Sequence, residues 1–280
     1  MAGFVNSKAI AILMATYNGE RYLREQIDSI LNQDNDDWTL YIRDDGSEDN
    51  TLLIIDEYIR KYDSIILIKD RLGSKGASGN FFQLLQSVDS SYYMFADQDD
   101  IWLPDKIKKA YAQMKILEQK YISYPIVIGT DLVVVDNLLN VLSKSLWHIC
   151  KINTSLLKDV DYLGICNGFV GCTMIINEKV KKIIEPTLPT NIIHDYWIAM
   201  NVAINNGILD FMSDAQILYR QHTQNTIGAE RIDMIYYLKR LFKLDKIFRQ
   251  NMDMYLMNKH LLGRSFMGYL YYKVLYIIKR

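Results

Sequence analysis

The chain has 280 residues, half of them hydrophobic and 23% charged, a globular balance that excludes wholesale disorder and fits one large α/β domain, alone or with an appendage. The net charge of −1 hides an asymmetry: residues 231–280 hold 11 Lys and Arg against 3 Asp and Glu, so the basic surplus sits at one end. Cys150, Cys166 and Cys172 form no CxxC pair, which argues against a zinc module or a disulfide framework and for a reducing cytoplasm. The opening MAGFVNSK has no apolar signal region. No uncharged apolar run reaches the length of a membrane span, since Ser265–Ile278 is interrupted by Lys273. Neither export nor a transmembrane helix is expected.

Strand and helix patterns alternate along the first half. Ala9–Ala15 reads as a buried strand. Asn18 can cap a helix whose apolar positions Leu23, Ile27, Ile30 and Leu31 share a face. Thr39–Ile42 is a second strand, and 51–62 a helix with Leu52, Ile55, Tyr58 and Ile59 on one side. Ile65–Ile68 reads as a strand, Asn80–Val88 as a helix and Tyr92–Ala96 as a fourth strand. Pro104 suits the first turn of a helix carrying Ile107, Tyr111, Met114 and Leu117. Such alternation predicts a mostly parallel, Rossmann-like sheet with helices on both faces. Farther on, Ile126–Val135 and Thr173–Ile176 read as strands, His194–Asn206 as a helix stopped by Gly207, and Ile208–Met212 as a return to the sheet. From about residue 229 the chain reads as helical. This predicts a main α/β domain over 1–228 and a basic, amphipathic helical extension over 229–280.

In open parallel sheets ligands bind beyond the carboxyl ends of the strands. Three polar clusters fall there: Ala15-Thr16-Tyr17-Asn18, Arg43-Asp44-Asp45-Gly46-Ser47 and Asp97-Gln98-Asp99-Asp100. Each alone reads equally as a turn or a cap. Together they crowd carboxylates at one edge, where acids repel unless a cation joins them. Asp97 and Asp99, two apart on an extended segment, project to one side and form a hard oxygen site suited to Mg²⁺ or Mn²⁺.

The runs ILMATYNGERYLREQIDSIL, RDDGSEDNT and FADQDDIWLPDKI resemble family 2 glycosyltransferases of the GT-A fold, over roughly residues 9–225. The resemblance implies an inverting transferase with a nucleotide-diphosphate-sugar donor. Asp45 would read the base of a uridine or thymidine nucleotide, with the backbone near Ala15 and Tyr17 in the same pocket. Asp97 would contact the ribose side and Asp99 the metal. Gly76–Phe81 is similar to the family's Gly-x-x-x-Asn element, which places Asn80 near the nucleotide, although Ser74 stands where an Asn leads that element. His194-Asp195-Tyr196-Trp197 resembles the acidic base motif, with Asp195 the matching residue. The alternative for Asp195 is an acid favoured in a helix's first turn.

In Tyr219–Asn225, His222 is the candidate third metal ligand and Arg220 the candidate diphosphate contact; a surface loop is the alternative. Trp102 and Trp197 are placed with Asn80 and Arg220 around the donor or acceptor. Asn167–Cys172 resembles the stretch between donor and acceptor sites, with Cys172 packed rather than reactive. FADQDDIW, HDYW and YRQHxxN are together similar to a subgroup that includes bacterial polysaccharide rhamnosyltransferases. This makes dTDP-L-rhamnose the first donor to test, with UDP-galactose, UDP-glucose and their N-acetyl forms open. The expected acceptor is a lipid-linked saccharide. The basic tail would contact the cytoplasmic membrane face, pack on the core or join two subunits; no nucleic-acid partner is expected. A nucleotidyltransferase would need a charged Gly-rich loop where ATYNGE stands, and a non-catalytic assembly subunit would have no need of Asp45, Asp97, Asp99 and Asp195.

Overall fold

The computed structural model describes residues 8–70, 72–189, 192–222 and 244–280. In chain order the first half comprises β1 (Ile10–Thr16), α1 (Leu23–Leu31), β2 (Trp38–Asp44), α2 (Thr51–Ile59), β3 (Ile65–Leu67), α3 (Gly76–Ser87), β4 (Tyr92–Ala96), β5 (Ile101–Trp102) and α4 (Lys106–Lys120). There follow β6 (Ile126–Thr130), β7 (Val133–Val135), β8 (Val141–Ser143), α5 (Leu146–Ile149), α6 (Val160–Leu163), β9 (Ile175–Asn177), α7 (Glu178–Ile183), α8 (His194–Ile204), β10 (Ile208–Met212) and β11 (Ile217–Arg220). Two further helices are α9 (Leu244–Leu262) and α10 (Phe266–Lys279).

Seven strands form the main sheet in the order β10-β6-β9-β4-β1-β2-β3. All pairings are parallel except those of β9, which runs antiparallel to both β4 and β6. β1 lies inside the sheet between β4 and β2, and its side chains alternate between two cores. Ile10, Ile12 and Met14 pack with Leu23, Ile27, Ile55 and Ile107 from α1, α2 and α4. Ala11 and Leu13 pack with Phe81, Leu84, Trp197 and Met200 from α3 and α8. The expected α/β architecture, a mostly parallel sheet between helical layers, is the one observed. A second, four-stranded sheet, β5-β11-β7-β8, stands beside it.

Four expectations need correction. The apolar run Ile126–Val135 is two strands in different sheets, because the buried Asp131 turns the chain: its carboxylate accepts the amides of Leu132, Leu146 and Trp147 and the Ser145 hydroxyl. Asn18 does not cap α1. It has φ 47° and accepts the Glu48 amide, tying the β1 and β2 loops together. α3 starts at Gly76, a turn before Asn80, and β9 starts at Ile175 rather than Thr173.

The proposed boundary at 228/229 lies outside the described residues. α9 and α10 pack on the α3–α8 side, where Met257, Tyr269 and Tyr276 are buried in that core. Among the described residues no helix is long and apolar enough to cross a membrane.

Candidate active site

A cavity of about 690 Å³ opens at the carboxyl ends of β1, β2 and β4. That size suits a ligand of nucleotide-sugar dimensions. Ala15, Thr16 and Tyr17 line it from β1, Asp45 from β2, and Asp97, Gln98 and Asp99 from β4. Ser74, Gly76 and Asn80 close one end; Leu146, Ile152, Asn167, Phe169 and Val170 close the other, with Asp195 between.

The Asp45 end is a saturated charge network. Arg43, 3% exposed, donates to both oxygens of Asp70, to Asp45, to Asn80 Oδ1 and to the Gly73 carbonyl. Asp45 also receives the Ser74 hydroxyl (2.8 Å) and the amides of Lys75 (2.8 Å) and Gly76 (2.8 Å). Burial pushes the Asp45 carboxyl up, but these donors outweigh it and hold the group below the usual carboxylate range. The Arg43 guanidinium likewise holds Asp70 down, at about 2. Asp45 therefore shapes the loop that closes this end of the cavity. The signal for Arg43 was present in the sequence: an arginine at the end of a buried strand, next to two acids.

Gln98 clamps the β1 loop. Its side chain accepts the Tyr17 amide and donates to the Tyr17 carbonyl, both at 2.9 Å, so the Tyr17 backbone is committed within the protein. The clamp explains Gly19, since a Cβ there would lie 2.3 Å from Gln98 Oε1.

The acidic run after β4 diverges. Asp99 Oδ2 lies 2.8 Å from His222 Nε2. Asp97 instead groups with Asp100 and Cys172, whose ligand atoms all lie within 4.8 Å of one another. Burial and the charges of Asp99 and Asp195 raise Asp97 to about 7. Burial likewise lifts the fully buried Asp100, which accepts the Arg220 amide. Beneath them lies Lys106, also fully buried, its ammonium 4.5 Å from the Trp102 ring centre; burial lowers it to about 8 against the pull of Cys172 and Asp100. Lys106 was not legible in the sequence because a lysine two residues after a proline looks like a solvated first-turn residue.

A divalent cation fits this edge. Burial and, after it, the neighbouring carboxylates raise Asp97 and Asp100, the sign of negative charge without enough compensation. Asp99 Oδ2 and His222 Nε2, 2.8 Å apart, also bring a carboxylate and an imidazole together, donor types that such an ion accepts.

Asp195 begins α8. It accepts the Asn167 side-chain amide (3.0 Å) and the Gly171 backbone amide (2.9 Å), and burial raises it to about 6 against those bonds. Its neighbour His194 is buried between Phe81, with ring centres 4.5 Å apart, and Phe95. Burial takes His194 down to about 3, so it stays neutral beside Asp195.

Three residues expected around donor or acceptor do not line the cavity. Trp102 and Trp197 are buried in the two cores, where their large apolar rings are most stable. Arg220 is buried on the Tyr22 ring and donates to Glu25 and to the Asp99 and Asn137 carbonyls, which orders the Asp99 turn from behind. Tyr219, its neighbour, does line the cavity.

The family model described as "Glycosyl transferase family 2" matches residues 11–184. The chain is 32% identical over 234 residues to the dTDP-rhamnosyl transferase RfbG of Shigella flexneri, covering 77% of this chain and 74% of that protein. It is 33% identical over 127 residues to the putative glycosyltransferase EpsE of Bacillus subtilis, covering 45% of this chain and 44% of EpsE. Among solved structures, S. aureus TarS 1-349 in complex with UDP-GlcNAc superposes with a TM-score of 0.65 at 15% identity, covering 96% of this chain and 71% of that one. The mannosyltransferase PcManGT from Pyrobaculum calidifontis, in complex with GDP-Man and Mn²⁺, gives 0.55 at 14% identity, covering 79% and 58%. These two likenesses show the fold.

Proposed function

The chain belongs to glycosyl transferase family 2, and from that premise we propose that it is an inverting, metal-dependent transferase that moves L-rhamnose from dTDP-L-rhamnose to a lipid-linked bacterial surface saccharide. The observation that carries the mechanism is the single cavity in which Asp195 faces the acidic edge of Asp97 and Asp99, with the Asp45 loop at the far end.

In this reading the nucleoside lies against Asp45, Ser74 and Asn80, and Asp97 meets its ribose. Asp99, paired with His222, would hold Mn²⁺ or Mg²⁺, whose chemistry is to neutralise the diphosphate, while Asp97 stays with Asp100 and Cys172. The acceptor enters from the side of Leu146, Ile152 and Phe169. Asp195 accepts the acceptor hydroxyl proton as that oxygen bonds to the anomeric carbon. The bond from that carbon to the diphosphate oxygen breaks on the opposite face, and the nucleoside diphosphate leaves with the electron pair. Asn167 and the Gly171 amide orient the carboxylate for this step.

RfbG supports the rhamnose donor, since its match spans most of both chains. A UDP-hexose donor is the second reading, favoured by the superposition on a UDP-GlcNAc complex. Hydrolysis of a panel of dTDP-, UDP- and GDP-sugars, with and without Mn²⁺, decides between them. Preferred turnover of dTDP-L-rhamnose supports the first reading, and preferred turnover of a UDP-hexose replaces it with the second. No turnover of any donor rejects both.

A further inference from the structure

Apolar residues surround α10 on all sides, although the described residues cover only one of them. Tyr269 and Tyr276 point into the core, and Lys279 donates to the Tyr162 hydroxyl on the same side. On the outward side stand Phe266, Met267, Leu270, Tyr271, Val274, Ile277 and Ile278, all exposed, with Met267 at 73% and Ile278 at 72%. At about 100° per residue these seven fill a continuous arc of roughly 140° that contains no charged residue. An outward helix face on a soluble domain is ordinarily polar, so a face of this kind needs a second apolar medium. The helix is 14 residues long, about 21 Å, too short to cross a bilayer.

Two further observations identify that medium. From Met254 to the last residue the chain carries Lys259, Arg264, Lys273, Lys279 and Arg280 and no acidic residue, and the neighbouring Asp161 is ion-paired to Arg264, so this end of the chain is net cationic. The end of α10 also adjoins the cavity. The Asn153 side chain donates to the Lys279 carbonyl, and Tyr276 meets Cys166. Asn153 and Cys166 are the chain neighbours of Ile152 and Asn167, which line the acceptor side.

We infer that α10 lies in the plane of an anionic lipid surface, its outward arc inserted at the headgroup boundary, and that it holds the acceptor side of the cavity against that surface. A helix in this position buries apolar side chains while its cations meet anionic headgroups. Tyr271 sits well there, with its ring in the apolar layer and its hydroxyl wet. The purpose of the arrangement, presenting a lipid-linked acceptor to Asp195, rests on the function proposed above; lipid binding by the helix does not.

The test is sedimentation of the full chain with vesicles of phosphatidylcholine, with and without one quarter phosphatidylglycerol, containing no acceptor. The probe variant is M267S/Y271S/I278S, three exposed positions outside the cavity. Donor hydrolysis and circular dichroism are measured in parallel. The chain should bind the anionic vesicles, more weakly at high salt and more weakly still without phosphatidylglycerol. The variant should partition about tenfold less or worse, because binding scales with inserted apolar area, while hydrolysing donor normally. Absence of vesicle binding at low salt overturns the inference, and hydrolysis that persists in that sample leaves the transferase reading standing. Equal binding by the variant also overturns it. A wild-type dimer in light scattering that becomes monomeric in the variant, without lipid binding, assigns the face to a second copy of this chain.

Discussion

Replacing Asp45 by Asn tests the donor end of the cavity with almost no change in shape. Oδ1 of Asp45 takes Arg43 and the Lys75 amide, while Oδ2 takes the Ser74 hydroxyl, the Gly76 amide and, at 3.1 Å, a share of the Lys75 amide. An Asn must turn its NH₂ toward one pair. Facing Ser74 is the better choice, since a hydroxyl can rotate to accept, but the Gly76 amide then loses its partner. A buried amide left unpaired costs about 1–3 kcal/mol. If the loop must stay closed to hold nucleotide, this becomes a rise of roughly 5- to 150-fold in the dissociation constants of dTDP and UDP, at about 1.4 kcal/mol per tenfold. The loop grips donor and transition state alike, so KM should rise with kcat nearly unchanged. Ser74→Ala removes one hydroxyl bond and should weaken binding by only about 0.5–1.5 kcal/mol. Calorimetry with both nucleotides, alongside steady-state kinetics, reads these effects. A dissociation constant within twofold of wild type in Asp45→Asn would refute the reasoning.

Asp99→Asn keeps the contact distance to His222 but removes a ligand charge, so turnover should fall severely and excess Mn²⁺ should restore it only in part; full wild-type activity in EDTA would contradict a metal role. Asp195, lifted to about 6 by burial, ionises in the unfolded chain first and so subtracts stability as pH rises from about 4 to 6. Asp195→Asn should therefore leave the melting temperature unchanged or higher at pH 8, and a marked fall there would show that the ionised carboxylate stabilises the fold. Because the base must be ionised to act, wild-type kcat/KM should climb with pH through about 6 and then level off; a kcat/KM that keeps falling across that range would count against Asp195. Gly19→Ala drives a methyl into Gln98 and should cost about 1–3 kcal/mol in urea unfolding, with a raised donor KM; a neutral result would mean the Gln98 clamp is dispensable.

The first half of the fold was legible because buried parallel strands are short apolar runs and the helices between them keep one apolar face. The divergences have local physical causes. A run such as Ile126–Val135 looks uniform to any test of periodicity, yet one buried acid, Asp131, accepts three amides and a hydroxyl and sends the chain into another sheet. Asn18 has the composition of a helix cap, but its partner, the Glu48 amide, is 30 residues away, and no local pattern reveals it. The candidate residues Asp45, Asp97 and Asp99 share one cavity because parallel strands end on one edge, and Asp195 joins them from the first turn of α8. Their partners were harder to see. Nothing in a DxD spacing says that Asp97 will sit with Asp100 and Cys172 while Asp99 meets His222. Trp102 and Trp197 lie beside motif residues in the chain, but adjacent residues on a strand or helix point different ways, and theirs point into the cores.

The central claim is single displacement driven by Asp195, and the most direct test is transfer by wild type and Asp195→Asn, with the product's anomeric configuration read by NMR. Single displacement gives inversion, an α-linked rhamnoside from a β-configured dTDP-L-rhamnose. It also predicts that Asp195→Asn binds nucleotide nearly as wild type does while turnover falls by about 10²–10⁴. A product with retained configuration, or an Asp195→Asn enzyme that turns over at the wild-type rate, would contradict it.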